Sequence, residues 1–359
     1  MTRRESIKIV GLATASLLIN NTLTMANDTN KISFKLNTDL VTIKPNWKGN
    51  KLVNNTFVYE PEIQAKKFID IIKWKWGKNP LKEAKKADSF KLEIIPNNKP
   101  TSLNENEVVW LGHSSFIMKI AGKVIITDPI LGKLPMIGRL SKLPCKPEEI
   151  TGLDYILLSH DHRDHCDIPS LKILLAQNPN VKILTTFGLG EIINGISKKH
   201  AVEEAAWFQE YITELELKIT YLPAKHWCKR GLTDLNKRLW GSFMIQSANK
   251  TIYFAADTAY DVHFKEIATI FPNIDIAFMP VGAYKPEHIM KENHVSPDEA
   301  VQGFNDLKAK HFIPMHYGTF DLSDEPAGEP EQLLKKAQET NTLQGKLHIL
   351  KPGLVWQMS

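Results

Sequence analysis

Residues 155–168 read YILLSHDHRDHCDI. An apolar run with the length of a buried strand ends abruptly in His160, His162, Asp164 and His165, four metal-type donors within six residues. Core packing asks for no such density of imidazole. The pattern constrains the fold directly: one strand must end at a site, and other strands must end beside it. In extended backbone His160 and His162 share one side. Asp164 and His165 follow once the chain turns, so two pairs of donors can serve two neighbouring points. Nitrogen and oxygen donors without cysteine favour zinc, with iron or manganese as alternatives. Solvated loop residues would explain one of these histidines, but not three with an aspartate at this spacing.

Four donors are too few for two metals. The rest are expected at later strand ends, and the chain has candidates there. His226 in TYLPAKHWCKR, Asp257 in TIYFAADTAY and His316 in HFIPMHYGTF each stand where an apolar run meets a polar turn. Alone, each would read as a cap or a satisfied surface group; after the histidine cluster, they read as ligands. VVWLGHSSFIMKI and KVIITDPI read as strands paired around the turn AGK. YILLS, VKILTTF, KITYLPA, SFMIQS, TIYFAAD, IDIAFMPVG and HFIPMH are further strands. IPSLKILLAQ, SPDEAVQGFNDLKAK (with Ser296 as N-cap) and EPEQLLKKAQE read as helices. Hairpins come first and alternation with helices comes later, which predicts mixed sheets with helices outside.

Composition sets outer limits. The 359 residues are 43% apolar and 24% charged, enough for a sizeable core and unlike a disordered chain. A formal charge of +5 suits an anionic surface or substrate but is too weak to argue for nucleic acid. Cys145, Cys166 and Cys228 make no even disulfide framework and read as small buried thiols. Residues 1–26 read as a Tat-like signal peptide: Arg3 and Arg4, then Lys8, then an apolar run from Ile9 to Ile19 and a small-residue site at Thr24–Ala26. That run is short of the roughly 20 apolar residues of a membrane span. Export is therefore expected, to the periplasm or a peripheral position on the membrane. The alternatives are an uncleaved N-terminus, a start at Met25, or the cytoplasmic face of the membrane.

Residues 27–100 read as an N-terminal extension. Within it, PEIQAKKFIDIIKWKWGK predicts a helix with Ala65, Phe68, Ile69, Ile72 and Trp76 on one face. Ile71 and Trp74 fall off that face among lysines. The helix either packs on the body or meets a membrane interface. PILGKLPMIGRLSKLP, residues 129–144, is an apolar loop with spaced basic residues. It suits a lipid-facing surface, a folded lid or a dimer contact.

Several words go beyond the ligands: WLGHSSF, ITDPI, LLSHDHRDH, LPAKHWCKRG, NKRLWGSF, FAADTAYD, GAYKPEHIMKENHVSPDEAV and HYGTFDLSDEP. In this order, across Thr101–Leu343, the chain resembles the N-acyl-phosphatidylethanolamine-hydrolysing phospholipase D family of metallo-β-lactamase-fold hydrolases. Ala256 and Ala259 stand where the family usually has glycine, and Ser296 where an acidic residue is common. The resemblance implies an α/β fold, an αββα sandwich of two mixed β-sheets flanked by helices, over residues 101–359. It implies two zincs per chain. One is held by His160, His162 and His226, the other by Asp164, His165 and His316, with Asp257 between them. It also implies a phospholipid substrate, peripheral membrane contact and a homodimer.

The chemistry expected from such a site is hydrolysis of a phosphodiester. Water shared by two zincs loses its proton near neutral pH, its pKa falling from about 15.7 toward about 7. The hydroxide attacks phosphorus while the metals steady the growing charge. By resemblance the products are an N-acylethanolamine and phosphatidic acid. Asp257 and Asp164 are the catalytic carboxylates. His294 either serves the leaving oxygen or merely precedes the helix start at Ser296. Asp128 orients a ligand histidine or is a turn residue before Pro129. His113 lines the pocket or buttresses its loop, and Lys229 attracts the anionic head group or is an ordinary solvated charge. A lactone or ester hydrolase of the same fold, and a lipid-binding envelope protein with little turnover, are the alternatives.

Overall fold

The short apolar runs pair into two mixed sheets. The computed structural model describes residues 31–60, 70, 73–74 and 76–358, so the expected signal peptide lies outside the described residues. In chain order the strands are β1 (Ile32–Lys35), β2 (Val41–Thr42), β3 (Asn50–Val53), β4 (Thr56–Phe57), β5 (Glu107–Gly112), β6 (Ser115–Ile120), β7 (Lys123–Thr127), β8 (Tyr155–Leu157), β9 (Lys182–Thr186), β10 (Val202–Ala205), β11 (Gln209–Glu210), β12 (Lys218–Leu222), β13 (Ser242–Gln246), β14 (Thr251–Phe254), β15 (Ile276–Pro280), β16 (His311–Met315), β17 (Lys346–Leu347) and β18 (Val355–Gln357). Among the described residues the order is β10-β9-β8-β7-β6-β5-β18 in one sheet and β17-β16-β15-β14-β13-β12-β11-β2 in the other. Each has an antiparallel part and a parallel part: β7 to β10 run parallel in the first, β14 to β17 in the second. This is the two-sheet α/β architecture expected from the strand pattern.

Side-chain alternation builds the layers. Along β5, Val108 and Trp110 join the core between the sheets, while Val109 and Leu111 join the core beneath the helices. Phe116 of β6 meets Phe278 of β15 across the layer, with ring centroids 4.6 Å apart. A fully buried aromatic of this kind contributes about 1.5–3 kcal/mol. On the outer face of the first sheet lies α2 (Ile168–Gln177), with Leu171, Leu174 and Leu175 buried; it follows α1 (Lys82–Ala87) of the extension. Its N-cap is Asp167, which accepts the Ser170 N–H. Then come α3 (Leu189–Ile196), α4 (His263–Ile270), α5 (Glu287–Met290), α6 (Pro297–Leu307) and α7 (Glu329–Glu339). Ser296 caps α6 in a reciprocal box with Glu299, as its sequence predicts.

Three local expectations change. VVWLGHSSFIMKI is two strands, because Gly112 and His113 take positive φ (+103° and +53°) and fold β5 back onto β6. A Cβ at Gly112 would come within 2.9 Å of the Arg139 guanidinium, so the bend also needs the missing side chain. Residues 27–59 lack a sequence period, yet β1, β3 and β4 form a small sheet and β2 adds an edge strand beside β11. Within the predicted helix at 61–78, the described tryptophans depart from its period. Trp76 is 72% exposed, whereas Trp74 is half-buried and its indole N–H donates to Asp324 Oδ2 at 2.9 Å. The partner comes from a loop 250 residues away, which no local period reveals. Ala65, Phe68, Ile69, Ile71 and Ile72 lie outside the described residues.

The loop 129–144 is folded down rather than free. The half-buried Arg139 guanidinium donates to the carbonyls of Ser141, Ile130 and Leu111, each at 2.9 Å. Ile130 and Leu134 pack on Phe320 beneath it. Met136, 94% exposed, and Leu140 face solvent, as do Lys133 and Lys142.

Candidate metal centre

The histidine cluster sits where parallel strand β8 ends. Beyond Leu157 the chain stays extended, and the His162 carbonyl then accepts the N–H groups of His165 and Cys166 in a tight turn. His160 and His162 project to one side. Asp161 projects to the other, fully buried, where Arg238 pairs with it at 2.7 Å. Arg230 closes the loop by donating to the carbonyls of Asp161 and Cys166 at 2.7 and 2.8 Å. The two basic residues thus set the direction of the histidines. His226 follows β12, Asp257 follows β14 and His316 follows β16, all at the same edge.

There the donors gather into two groups. His160, His162, His226 and Asp257 offer atoms within 4.8 Å of one another, and so do His113, Asp164, His165 and His316. His162 Nδ1 lies 3.0 Å from His160 Nε2 and 3.1 Å from His226 Nε2. Asp257 faces both groups. Its Oδ2 is 3.1 Å from His165 Nε2, 3.8 Å from His226 Nε2 and 3.9 Å from His160 Nε2, while Oδ1 is 3.1 Å from His316 Nε2. All seven residues predicted as ligands are therefore brought together. Ala256, just before Asp257, has φ +52°, the conformation a glycine takes without strain and the place where the resemblance expects one.

Three of the far ring nitrogens have partners. His165 Nδ1 donates to Asp128 Oδ2 at 2.8 Å, His160 Nδ1 meets Ser159 Oγ at 2.9 Å, and His226 Nδ1 donates to the Asn293 carbonyl at 2.9 Å. Asp128 is itself buried and held by the Ser159 N–H and O–H. Such partners fix the ring plane and leave the near nitrogen bare.

The inner atoms, in contrast, are unsatisfied. His165 Nε2, His316 Nε2 and Asp257 Oδ1 are buried without a hydrogen bond. Unpaired buried polar atoms are costly, so their convergence calls for a central partner. The electrostatics ask for a cation. Burial would raise the Asp257 and Asp164 carboxyls, but the surrounding imidazoles, His165 first, hold both well below the usual range. Burial would lower His316, yet Asp257 and Asp164 keep it up at about 9, and they likewise lift His165. The carboxylates thus draw positive charge into the centre, and a divalent ion supplies it more fully than protons do. Ligands about 2.0–2.1 Å from a tetrahedral ion stand roughly 3.3 Å apart, close to the nitrogen spacings here. The residues fit a metal.

A family model for the β-lactamase superfamily domain matches residues 123–317. The N-acyl-phosphatidylethanolamine-hydrolysing phospholipase D 1 of Caenorhabditis elegans is 31% identical over 272 residues, spanning 70% of this chain and 75% of that protein. The mitochondrial N-acyl-phosphatidylethanolamine-hydrolysing phospholipase D of Saccharomyces cerevisiae is 30% identical over 302 residues, 77% of this chain and 63% of the relative. The chain belongs to this phospholipase D family of metallo-β-lactamase-fold hydrolases. A metallo hydrolase of the archaeon Ignicoccus hospitalis has the same fold, with a TM-score of 0.52 at 19% identity over 70% of this chain and 99% of its own. By family and fold the protein is a metal-dependent hydrolase.

Around this family's centre the remaining candidates divide. His294 stands at the rim: its Nδ1 is 3.9 Å from Asp257 Oδ2 and its ring 5.2 Å from that of His226. Burial lowers it to about 4. His113 lies inside, against Asp164 and His316. Lys229 is exposed and makes no hydrogen bond or ion pair with the described residues. Trp227, half-buried, was not anticipated. Its ring lies edge-on to His162 with centroids 4.7 Å apart and walls the first group. Ser159 and Asn293 were missed too. Ser159 could have been found from its place at the end of the strand, while Asn293 acts through a backbone carbonyl and leaves no mark in the sequence.

Proposed function

We propose that the protein is a zinc-dependent phosphodiesterase of the phospholipase D type, hydrolysing N-acyl-phosphatidylethanolamine to an N-acylethanolamine and phosphatidic acid. The observation that carries the reading is Asp257, one carboxylate facing two complete donor groups, in a chain whose relatives bear that activity in their names. His160, His162 and His226 would hold one zinc and Asp164, His165 and His316 the other. Bound metal supplies Lewis acidity and a water acidified to a pKa of about 7.

The protein's own groups then shape the reaction. Water oxygen bonds to phosphorus, the bond from phosphorus to the ethanolamine oxygen breaks, and that oxygen takes up a proton. His294 contacts the leaving oxygen from the rim, and Trp227 shields the His162 side from bulk water. Asp128, Ser159 and Asn293 keep the imidazoles aimed inward. A cavity of about 270 Å3 opens beside His316 between Phe90, Leu140, Tyr317 and Phe320 and gives a lipid arm an apolar wall. Exposed Met136, Leu140 and Trp76 support peripheral contact with a bilayer; the same loop tip would serve a homodimer. Among the described residues no helix is long and apolar enough to cross a membrane. Residues 1–26 as an export signal would put the reaction at the cell envelope.

The test is purified protein on N-acyl-phosphatidylethanolamine, with products identified by mass. N-acylethanolamine and phosphatidic acid should form, vanish with chelator and return with zinc. Diacylglycerol in place of phosphatidic acid, or lactones opened far faster than the phosphodiester, would overturn the proposal.

A further inference from the structure

The bend between β5 and β6 brings one more imidazole into the centre. His113 is 1% exposed, and three backbone hydrogen bonds fix it. Its N–H donates to Thr319 Oγ1 at 2.7 Å, and its carbonyl accepts the Trp110 indole N–H at 2.9 Å and the His316 N–H at 3.2 Å. The side chain reaches Asp164, with Nε2 3.1 Å from Oδ2. Its ring centroid is 4.0 Å from that of His316 and 5.4 Å from that of His165. These three residues form one donor group with His113, and His160, His162 and His226 belong to the other.

A ligating carboxylate has two equivalent oxygens and turns easily about its last bond. A donor fixed on one oxygen removes that freedom, and the held oxygen, Oδ2, is the one that faces the ligand nitrogens, 3.5 Å from His316 Nε2 and 3.7 Å from His165 Nε2. Histidine ligands are usually aimed by carboxylates, as Asp128 aims His165; here the roles are reversed and an imidazole aims a carboxylate. We propose that His113 is a positioning residue that holds Asp164 Oδ2 in place among the second donor group, and so sets the affinity of that metal position while leaving the first unchanged. The inference rests on the two-metal reading above.

Zinc titration of metal-free protein against a chromophoric chelator tests it, with melts of the metal-free proteins reporting the fold. The wild type should bind two equivalents. His113→Phe keeps the ring bulk against His316 and Phe320 but removes the donor. It should bind the first equivalent as the wild type does and the second roughly 10–100-fold more weakly. His113→Ala, run in parallel, carries the same expectation. His113→Gln, whose amide nitrogen can replace Nε2, should restore the second equivalent. Wild-type affinities in the Phe and Ala variants, equal weakening of both equivalents, or a folded Gln variant as weak as the Phe variant would overturn the proposal. A single equivalent in the wild type would instead refute the two-metal reading, and this inference with it.

Discussion

Replacing Asp128 by asparagine should weaken the metal at the His165 position and also cost the metal-free fold some stability. Asp128 is fully buried and accepts three hydrogen bonds: the Ser159 N–H on Oδ1 at 2.8 Å, and the Ser159 O–H (2.6 Å) and His165 Nδ1–H (2.8 Å) on Oδ2. Asparagine keeps an oxygen for the Ser159 N–H but puts an NH2 donor where Oδ2 was. Facing that donor, His165 cannot keep its proton on Nδ1. The proton moves to Nε2, the atom that faces Asp257 at 3.1 Å, and a protonated nitrogen cannot bind metal. Loss of such a partner costs roughly 10–100-fold in metal affinity, about 1.4–2.7 kcal/mol. The metal-free fold loses about one charged hydrogen bond, roughly 1.5–3 kcal/mol. Zinc titration and a thermal melt separate the two effects. A folded Asp128→Asn protein with an unchanged second equivalent would refute the tautomer argument.

Three further outcomes follow from the same geometry. Asp257→Asn should weaken both zinc equivalents and remove most turnover while the far-ultraviolet spectrum stays native, because Asp257 faces both donor groups. Arg139→Leu strands the carbonyls of Ser141, Ile130 and Leu111; we expect a loss of about 3 kcal/mol or more and faster tryptic cleavage at the exposed Lys133 and Lys142. Ser296→Ala removes the α6 cap and should cost about 1 kcal/mol, read as a fall of about 2–4 °C in Tm.

The cluster of donors was legible because its signal is local and repeated. Four donors crowd behind one strand, and three more stand at the ends of apolar runs. Sequence period also gave the paired strands around Ala121–Gly122 and the helices behind Asp167 and Ser296. What escaped depends on contacts far along the chain. His113 was named as a pocket or loop residue, but its place against Asp164 was not legible, since only the bend at Gly112 turns its ring there. Trp74 was expected off the packed face but is half-buried, because Asp324 supplies its hydrogen bond. Strands β11 and β17 have two residues each and exist only as partners of longer neighbours. The basic residues that matter to the motif loop are Arg230 and Arg238, which pin Asp161 and Cys166, while Lys229 points to solvent.

The central claim is water attack on phosphorus at a two-metal centre. Hydrolysis of N-acyl-phosphatidylethanolamine in water labelled with heavy oxygen tests it in one measurement. The account predicts one labelled oxygen in the phosphate of phosphatidic acid and none in the N-acylethanolamine. Label in the N-acylethanolamine, label in diacylglycerol or phosphoethanolamine derivatives, or no hydrolysis by the zinc-loaded protein would contradict it.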